Sequence, residues 1–218
     1  MNLWFPFAND GRRHEYCIFC GKESIERLEG DRTLSFLCRQ CGRHSDRSIL
    51  ITPENNWWVD SDGEYWHESS GVLVRDALGK FLFFMPTMYP NALTVPAGHV
   101  AVNEQAHLAG IRELEEEVGL KVEDLARVAV MNIAGDSCSA GSDAHLWHVF
   151  LYDYQGREEV EVREEGRDAT WLTLNEALAE DLTFATRKIL EHCKSSSDIL
   201  PGSPLTTSSR SASFNWQA

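Results

Sequence analysis

Apolar and polar positions alternate between two periods along the chain, and the changes of period predict its elements. Gly71 to Arg75, with Val72-Leu73-Val74 inside it, predicts a first buried strand, Asp76-Ala-Leu-Gly79 a turn, and Lys80 to Met85 a second strand, together a hairpin. Pro86 to Asn91 predicts a loop, and Leu93 to Pro96 leads into Gly98. Arg127 to Ala134 predicts a strand and Gly135 to Ala144 a small-residue loop. His145 to Tyr154 is apolar at both parities, which predicts a central strand covered on both faces. His148 in it reads as a satisfied core histidine rather than a base. Ala169 to Leu174 predicts a strand edge running into a helix capped by Asn175, and Asp181 to His192 a last helix.

Between these lies a stretch of helical period, Asn103 to Val118. His107, Ile111, Leu114 and Val118 form one stripe, suited to burial. Glu113, Glu116 and Glu117 share another face, because residues three and four apart are neighbours on a helix; Glu115 points elsewhere. Like charges at this spacing repel, and near a helix C-terminus the dipole disfavours them further. Something positive must offset this. Upstream on the carboxylate face stand only Ala106, Ala109 and Gly110, small residues that leave room for a ligand or another backbone to approach, an expectation of a face kept open. Clustered carboxylate oxygens suit Mg²⁺ or Mn²⁺, which in turn favour phosphate oxygens.

The run Gly98, Glu104, Arg112-Glu113, Leu114, Glu116-Glu117, Gly119, Leu120 fills every fixed position of the signature of the Nudix hydrolases, which the chain resembles over roughly Trp66 to Cys193. The resemblance implies an α/β fold, an α/β/α sandwich with a mixed sheet. It implies Glu113, Glu116 and Glu117 as ligands of catalytic Mg²⁺ or Mn²⁺, joined by the Ala97 carbonyl, with Arg112 orienting Glu113 and Glu104 supporting the site. A glutamate beyond the box commonly completes such sites as ligand or base; Glu165 before Trp171 fits best, Glu164 second. Tyr89 could stack on a base. The implied reaction is metal-dependent hydrolysis of the diphosphate of a nucleoside diphosphate linked to another group. A bare acidic helix is the competing reading of the charge run alone.

Ahead of this region, Cys17-Ile-Phe-Cys20-Gly and Cys38-Arg-Gln-Cys41-Gly stand 17 residues apart. This spacing reads as a zinc ribbon, in which Cys17, Cys20, Cys38 and Cys41 close a structural Zn²⁺ site; redox pairs or a disulfide framework compete with it. A module of this size has too little core to fold without the metal. Cys138 and Cys193 read as small packed residues rather than nucleophiles or ligands. Arg12, Arg13, Lys22, Arg27, Arg32, Arg39, Arg43 and Arg47 make the module mildly basic, so RNA contact and plain packing or homodimerisation both stay open. Residues 49 to 64, with Trp57 and Trp58, read as a connector that packs on its neighbours, since flexible linkers rarely carry tryptophan. The expected division is a segment 1–13, ribbon 14–48, connector 49–64, Nudix domain 65–194, and a disordered Ser/Thr/Pro-rich tail 195–218.

Composition narrows the function classes. A formal net charge of −14 argues against broad attachment to nucleic acid or anionic membrane. No segment approaches the roughly 20 apolar residues of a membrane span, and MNLWFPFAND lacks the form of a signal peptide, so the expected address is cytoplasmic. A ribbon ahead of a Nudix domain also resembles the NADH pyrophosphatases, some of which remove NAD caps from RNA. Val130-Met-Asn-Ile-Ala-Gly-Asp136 does not match the proline-rich stretch that subgroup carries after the box. The remaining alternative is a non-catalytic Nudix-fold ligand sensor or nucleic-acid adaptor.

Overall fold

The structure, a computed structural model, describes residues 1–29, 34–87, 91–156, 160–163 and 166–196. The chain begins with five short strands, β1 (His14–Tyr16), β2 (Ile25–Glu29), β3 (Leu34–Cys38), β4 (His44–Ser45) and β5 (Ile49–Ile51). β2, β3 and β4 make a three-stranded antiparallel sheet, while β1 pairs with β5. There follow β6 (Trp57–Val59), β7 (Tyr65–Arg75), β8 (Phe81–Pro86), β9 (Ala97–His99), α1 (Ala106–Val118), β10 (Ala126–Ala134), β11 (Ala144–Asp153), β12 (Gly166–Leu172), α2 (Leu174–Ala179) and α3 (Phe184–Ser195).

The large sheet runs β10-β11-β7-β8-β12, with β6 and β9 added along β7. Among the described residues only its β7–β11 pair is parallel, so the sheet is mixed. Its central strands bury both faces by strict alternation. Val72, Val74, Leu82, Phe84 and Phe150 meet Leu114 and Val118 of α1 on one side; Leu73, Phe81, Phe83, Val149 and Leu151 meet Ile189 and Leu190 of α3 on the other. The result is the expected sandwich.

Several boundaries differ from the sequence reading. β7 starts at Tyr65, six residues before the expected Gly71, because pairing with β6, β9 and β11 stabilises a polar half that hydropathy alone passes over. The stretch 49–64 carries β5 and β6. Phe5, Tyr16, Ile49 and Ile51 form a third core around Tyr65, whose hydroxyl donates to the Leu50 carbonyl at 2.6 Å. The α2 cap is Thr173, not Asn175: its hydroxyl accepts from the Glu176 amide while the Glu176 carboxylate accepts from the Thr173 amide. α3 starts at Phe184 after a Thr183 cap, three residues past the expected Asp181, and reaches Ser195. The tail beyond residue 196 lies outside the described residues. Among those described, no helix is long and apolar enough to cross a membrane.

Candidate active site

α1 rests on the sheet through Ala109 and Gly110, so of the two approaches these small residues allow, another backbone and not a ligand is what they meet. A side chain at Gly110 would meet Ser70 Oγ at 2.9 Å and Leu125 Cδ1 at 3.0 Å; Ala109 is fully buried and Ala106 packs against the same layer. Ala109 and Gly110 bring the helix backbone close to β7, while Ala106, at the start of the helix, borders a groove. The helix stops at Gly119, whose φ of 73° gives a left-handed cap. One box glycine thus has a purely conformational role.

The other, Gly98 in β9, lies directly over the helix: a Cβ there would overlap the Glu113 carboxylate. Glu113 and Glu117 are both over nine-tenths buried. The Ala97 amide donates to Glu117 Oε2 at 2.8 Å. Arg112 supplies the offsetting charge. Its Nη1 donates to Glu113 at 2.6 Å and to Glu116 at 2.9 Å, its Nε to Glu104 at 3.0 Å, and its Nη2 to the His99 carbonyl at 3.1 Å. Bonding to Glu104 first, then the other carboxylates, holds the guanidinium in its charged form more firmly than usual. Burial opposes ionisation of Glu104, yet Arg112 and the Ala101 amide outweigh it and hold the carboxyl below its ordinary value. Glu116, half exposed, is drawn to Arg112, and Glu115 turns away to Lys121.

Glu113, Glu116 and Glu117 are oxygen donors of the kind that suit a hard divalent cation, but here their oxygens turn to Arg112 and the Ala97 amide and do not converge on one point as the cysteine sulfurs do. Beside the start of α1 a groove of about 550 Å³ is lined by Glu68, Glu104, His107, Asp124, Arg127 and His148 among others. His148 is satisfied, by Glu68 Oε1 at 2.6 Å, but it is only partly buried, on a groove wall and not in the core. Tyr89, Glu164 and Glu165 lie outside the described residues.

The four N-terminal cysteines converge. Cys17 Sγ lies 3.7 Å from Cys41 Sγ, and Cys20 Sγ 3.6 Å from Cys38 Sγ. Zn–S bonds of about 2.3 Å set tetrahedral S···S edges of about 3.8 Å, so the donors fit zinc. The two knuckles are built alike: Gly21 and Gly42 amides return to the Cys17 and Cys38 carbonyls, while the Phe19 amide donates to Cys17 Sγ.

A second gathering of soft donors has no counterpart in the sequence reading. His67, His99, Cys138 and His145 bring one ligand atom each within 4.8 Å of the others. Cys138 therefore does not stand alone. Burial pulls the His67 imidazolium down to about 4. His145 is pushed up to about 9: burial works against this, and Asp136 and Cys138 outweigh it.

Residues 66–193 match the family model for the NUDIX domain, well over half of the chain. The chain belongs to the Nudix family. An RNA pyrophosphohydrolase of Teredinibacter turnerae is 36% identical over 72 residues, 33% of this chain and 41% of the relative. One from Hydrogenovibrio crunogenus is 37% identical over 67 residues, 31% and 39% respectively. The aligned stretch thus spans about two fifths of these curated relatives. Among solved structures, a MutT protein from Methanosarcina mazei Go1 overlaps 59% of this Nudix chain and 93% of its own, at 20% identity and a TM-score of 0.49.

Proposed function

We propose that this Nudix protein is a metal-dependent hydrolase of phosphoric anhydrides, cleaving the diphosphate of a nucleoside diphosphate linked to another group. The observation that supports this best is the tie of Arg112 to Glu104, Glu113 and Glu116 beneath β9, while Glu117 takes the Ala97 amide. In this reading Glu113, Glu116 and Glu117 hold the divalent ion, Glu104 fixes Arg112, and Arg112 aims Glu113. A bound Mg²⁺ or Mn²⁺ would supply electrophilic stabilisation of the diphosphate oxygens and acidify a water. Buried Glu113 and Glu117, already fixed by the strand above them, cost little reorganisation as charge develops. The four-cysteine site would hold zinc with no open position and serve folding alone. Division of the chain into a ribbon at 14–48 and a hydrolase at 65–194 belongs to the same proposal.

The names of the curated relatives make 5′-phosphorylated RNA a substrate to try beside small nucleotides. A panel of nucleoside diphosphate derivatives, NADH and 5′-triphosphorylated RNA, each with Mg²⁺ or Mn²⁺, should release a monophosphate or pyrophosphate from at least one member. Tight binding without turnover across the panel would favour the sensor or adaptor reading.

A further inference from the structure

We infer that His67, His99, Cys138 and His145 form a second zinc site, built into the sheet and separate from both the cysteine site and the glutamates. His67 and His145 are directly paired across the parallel β7–β11 ladder, and His99 comes from β9, paired along the same strand. Cys138 reaches in from the loop between β10 and β11.

The distances match a tetrahedron. His67 Nδ1 lies 3.2 Å from His99 Nε2, His99 Nε2 lies 3.4 Å from His145 Nε2, and Cys138 Sγ lies 3.6 Å from His67 Nδ1. Zinc bonds of about 2.05 Å to nitrogen and about 2.3 Å to sulfur require N···N edges of about 3.3 Å and N···S edges of about 3.6 Å. A hydrogen-bonded network explains these contacts less well. A ring nitrogen offers either one N–H or one lone pair, so His99 Nε2, facing a ring nitrogen on either side, can make one good hydrogen bond and not two. A cation accepts all three lone pairs at once.

The surroundings have the form of a structural centre. His67 and His145 are buried, and no fifth donor joins the group among the described residues. His67 Nε2 has no hydrogen-bond partner there. His145 Nδ1 lies 3.1 Å from Asp136 Oδ2, an ion-pair distance without hydrogen-bond alignment, and Trp147 Nε1 donates to the same oxygen at 2.8 Å. At 3.1 Å the Asp136 carboxylate acts on the His145 ring through its charge. The site also reaches the glutamates indirectly, because the His99 carbonyl accepts from Arg112. Three neutral imidazoles and one thiolate leave zinc a net single positive charge, and a closed set of four leaves no place for substrate. The assigned role is to clamp β9, β11 and the Cys138 loop onto β7.

The test is metal content of the full chain after purification under reducing conditions. Wild type should hold one more equivalent of zinc than Cys138→Ser, and Cys38→Ser should keep that equivalent. Equal zinc in wild type and folded Cys138→Ser overturns the inference. Zinc-edge X-ray absorption on the wild type needs no variant: nitrogen near about 2.0 Å together with sulfur near about 2.3 Å is expected. An all-sulfur shell overturns it.

Discussion

Arg47, two residues beyond the end of the N-terminal sheet, donates through Nε to the carbonyl of Cys138 at 2.8 Å. Its Nη2 reaches the Ser142 carbonyl at 2.9 Å and Asp143 Oδ1 at 2.6 Å, so one guanidinium ties the middle of the loop that carries the thiol to its C-terminal end. Burial disfavours the charged form of Asp143, but Ser137 and Arg47 outweigh it and keep the carboxyl below its ordinary value. Replacing Arg47 with alanine leaves two carbonyls and a half-buried carboxylate without this donor. The expected cost is about 2 kcal/mol, by analogy with other hydrogen bonds to charged groups. Urea unfolding of Arg47→Ala against wild type measures it.

Glu117→Gln should keep the fold, since the amide oxygen can still accept from Ala97, and lower kcat by at least about a hundredfold. Excess chelator should silence the wild type as well. Steady-state kinetics on a substrate found in the panel reads both; undiminished turnover in either case contradicts the assignment.

Gly98→Ala separates space from stability. The added methyl has to displace the Glu113 carboxylate, the far end of a flexible side chain, so folding should change little. Activity should fall sharply and its dependence on metal concentration should move upward. Thermal unfolding and a metal titration of kcat/KM check the two halves of this expectation.

Glu104 should titrate below its ordinary value in the folded chain. A depressed carboxylate contributes stability above its unfolded pKa and loses that contribution as pH falls through the folded value. In Arg112→Gln the burial remains while the largest opposing partner is gone, so the midpoint of Glu104 should rise. NMR titration of the side-chain carboxyl reports both values; an unchanged midpoint would mean that Arg112 does not hold it.

Thr173→Ala removes the hydroxyl that caps α2 and should cost about 1 kcal/mol. Asn175→Ala, at the residue the sequence favoured as cap, should cost far less. Comparing the two by chemical denaturation tests the observed helix start directly.

That Glu113, Glu116 and Glu117 share a helix face was legible because a helix turns linear spacing into a face, and the face needs nothing from elsewhere in the chain to be seen. Helix starts were harder. Thr173 and Thr183 cap where the polar residues near them, Asn175 and Asp181, look equally able, and tertiary packing chooses between them. The histidine and cysteine site was hidden for another reason. Its donors are spread from residue 67 to residue 145, so no local motif links them; the β7–β11 register and the β9 pairing bring them together. The local hint was in β11 alone, where His145 opens a mostly apolar run; His67 sits in the polar half of β7. Ala109 and Gly110 left two readings open, because small residues on a helix can mark a close backbone neighbour as readily as a cleft, and packing against β7 selects the first.

β7 pairs with β6, β8, β9 and β11, and its eleven residues hold three separate structures to a single count. Tyr65 belongs to the N-terminal core, His67 to the donor group, and Val72 and Leu73 to opposite sides of the sandwich. Because side chains change face at every step, one residue inserted between His67 and Val72 could not be absorbed locally. It would either turn the histidine out of its cluster or exchange the two faces of the sheet. Four residues further on, the turn bearing Leu78, 82% exposed, faces no such restriction. Extra length is therefore cheap at one end of this strand and forbidden along it, so any longer or shorter version of this protein should keep its β7 spacing residue for residue.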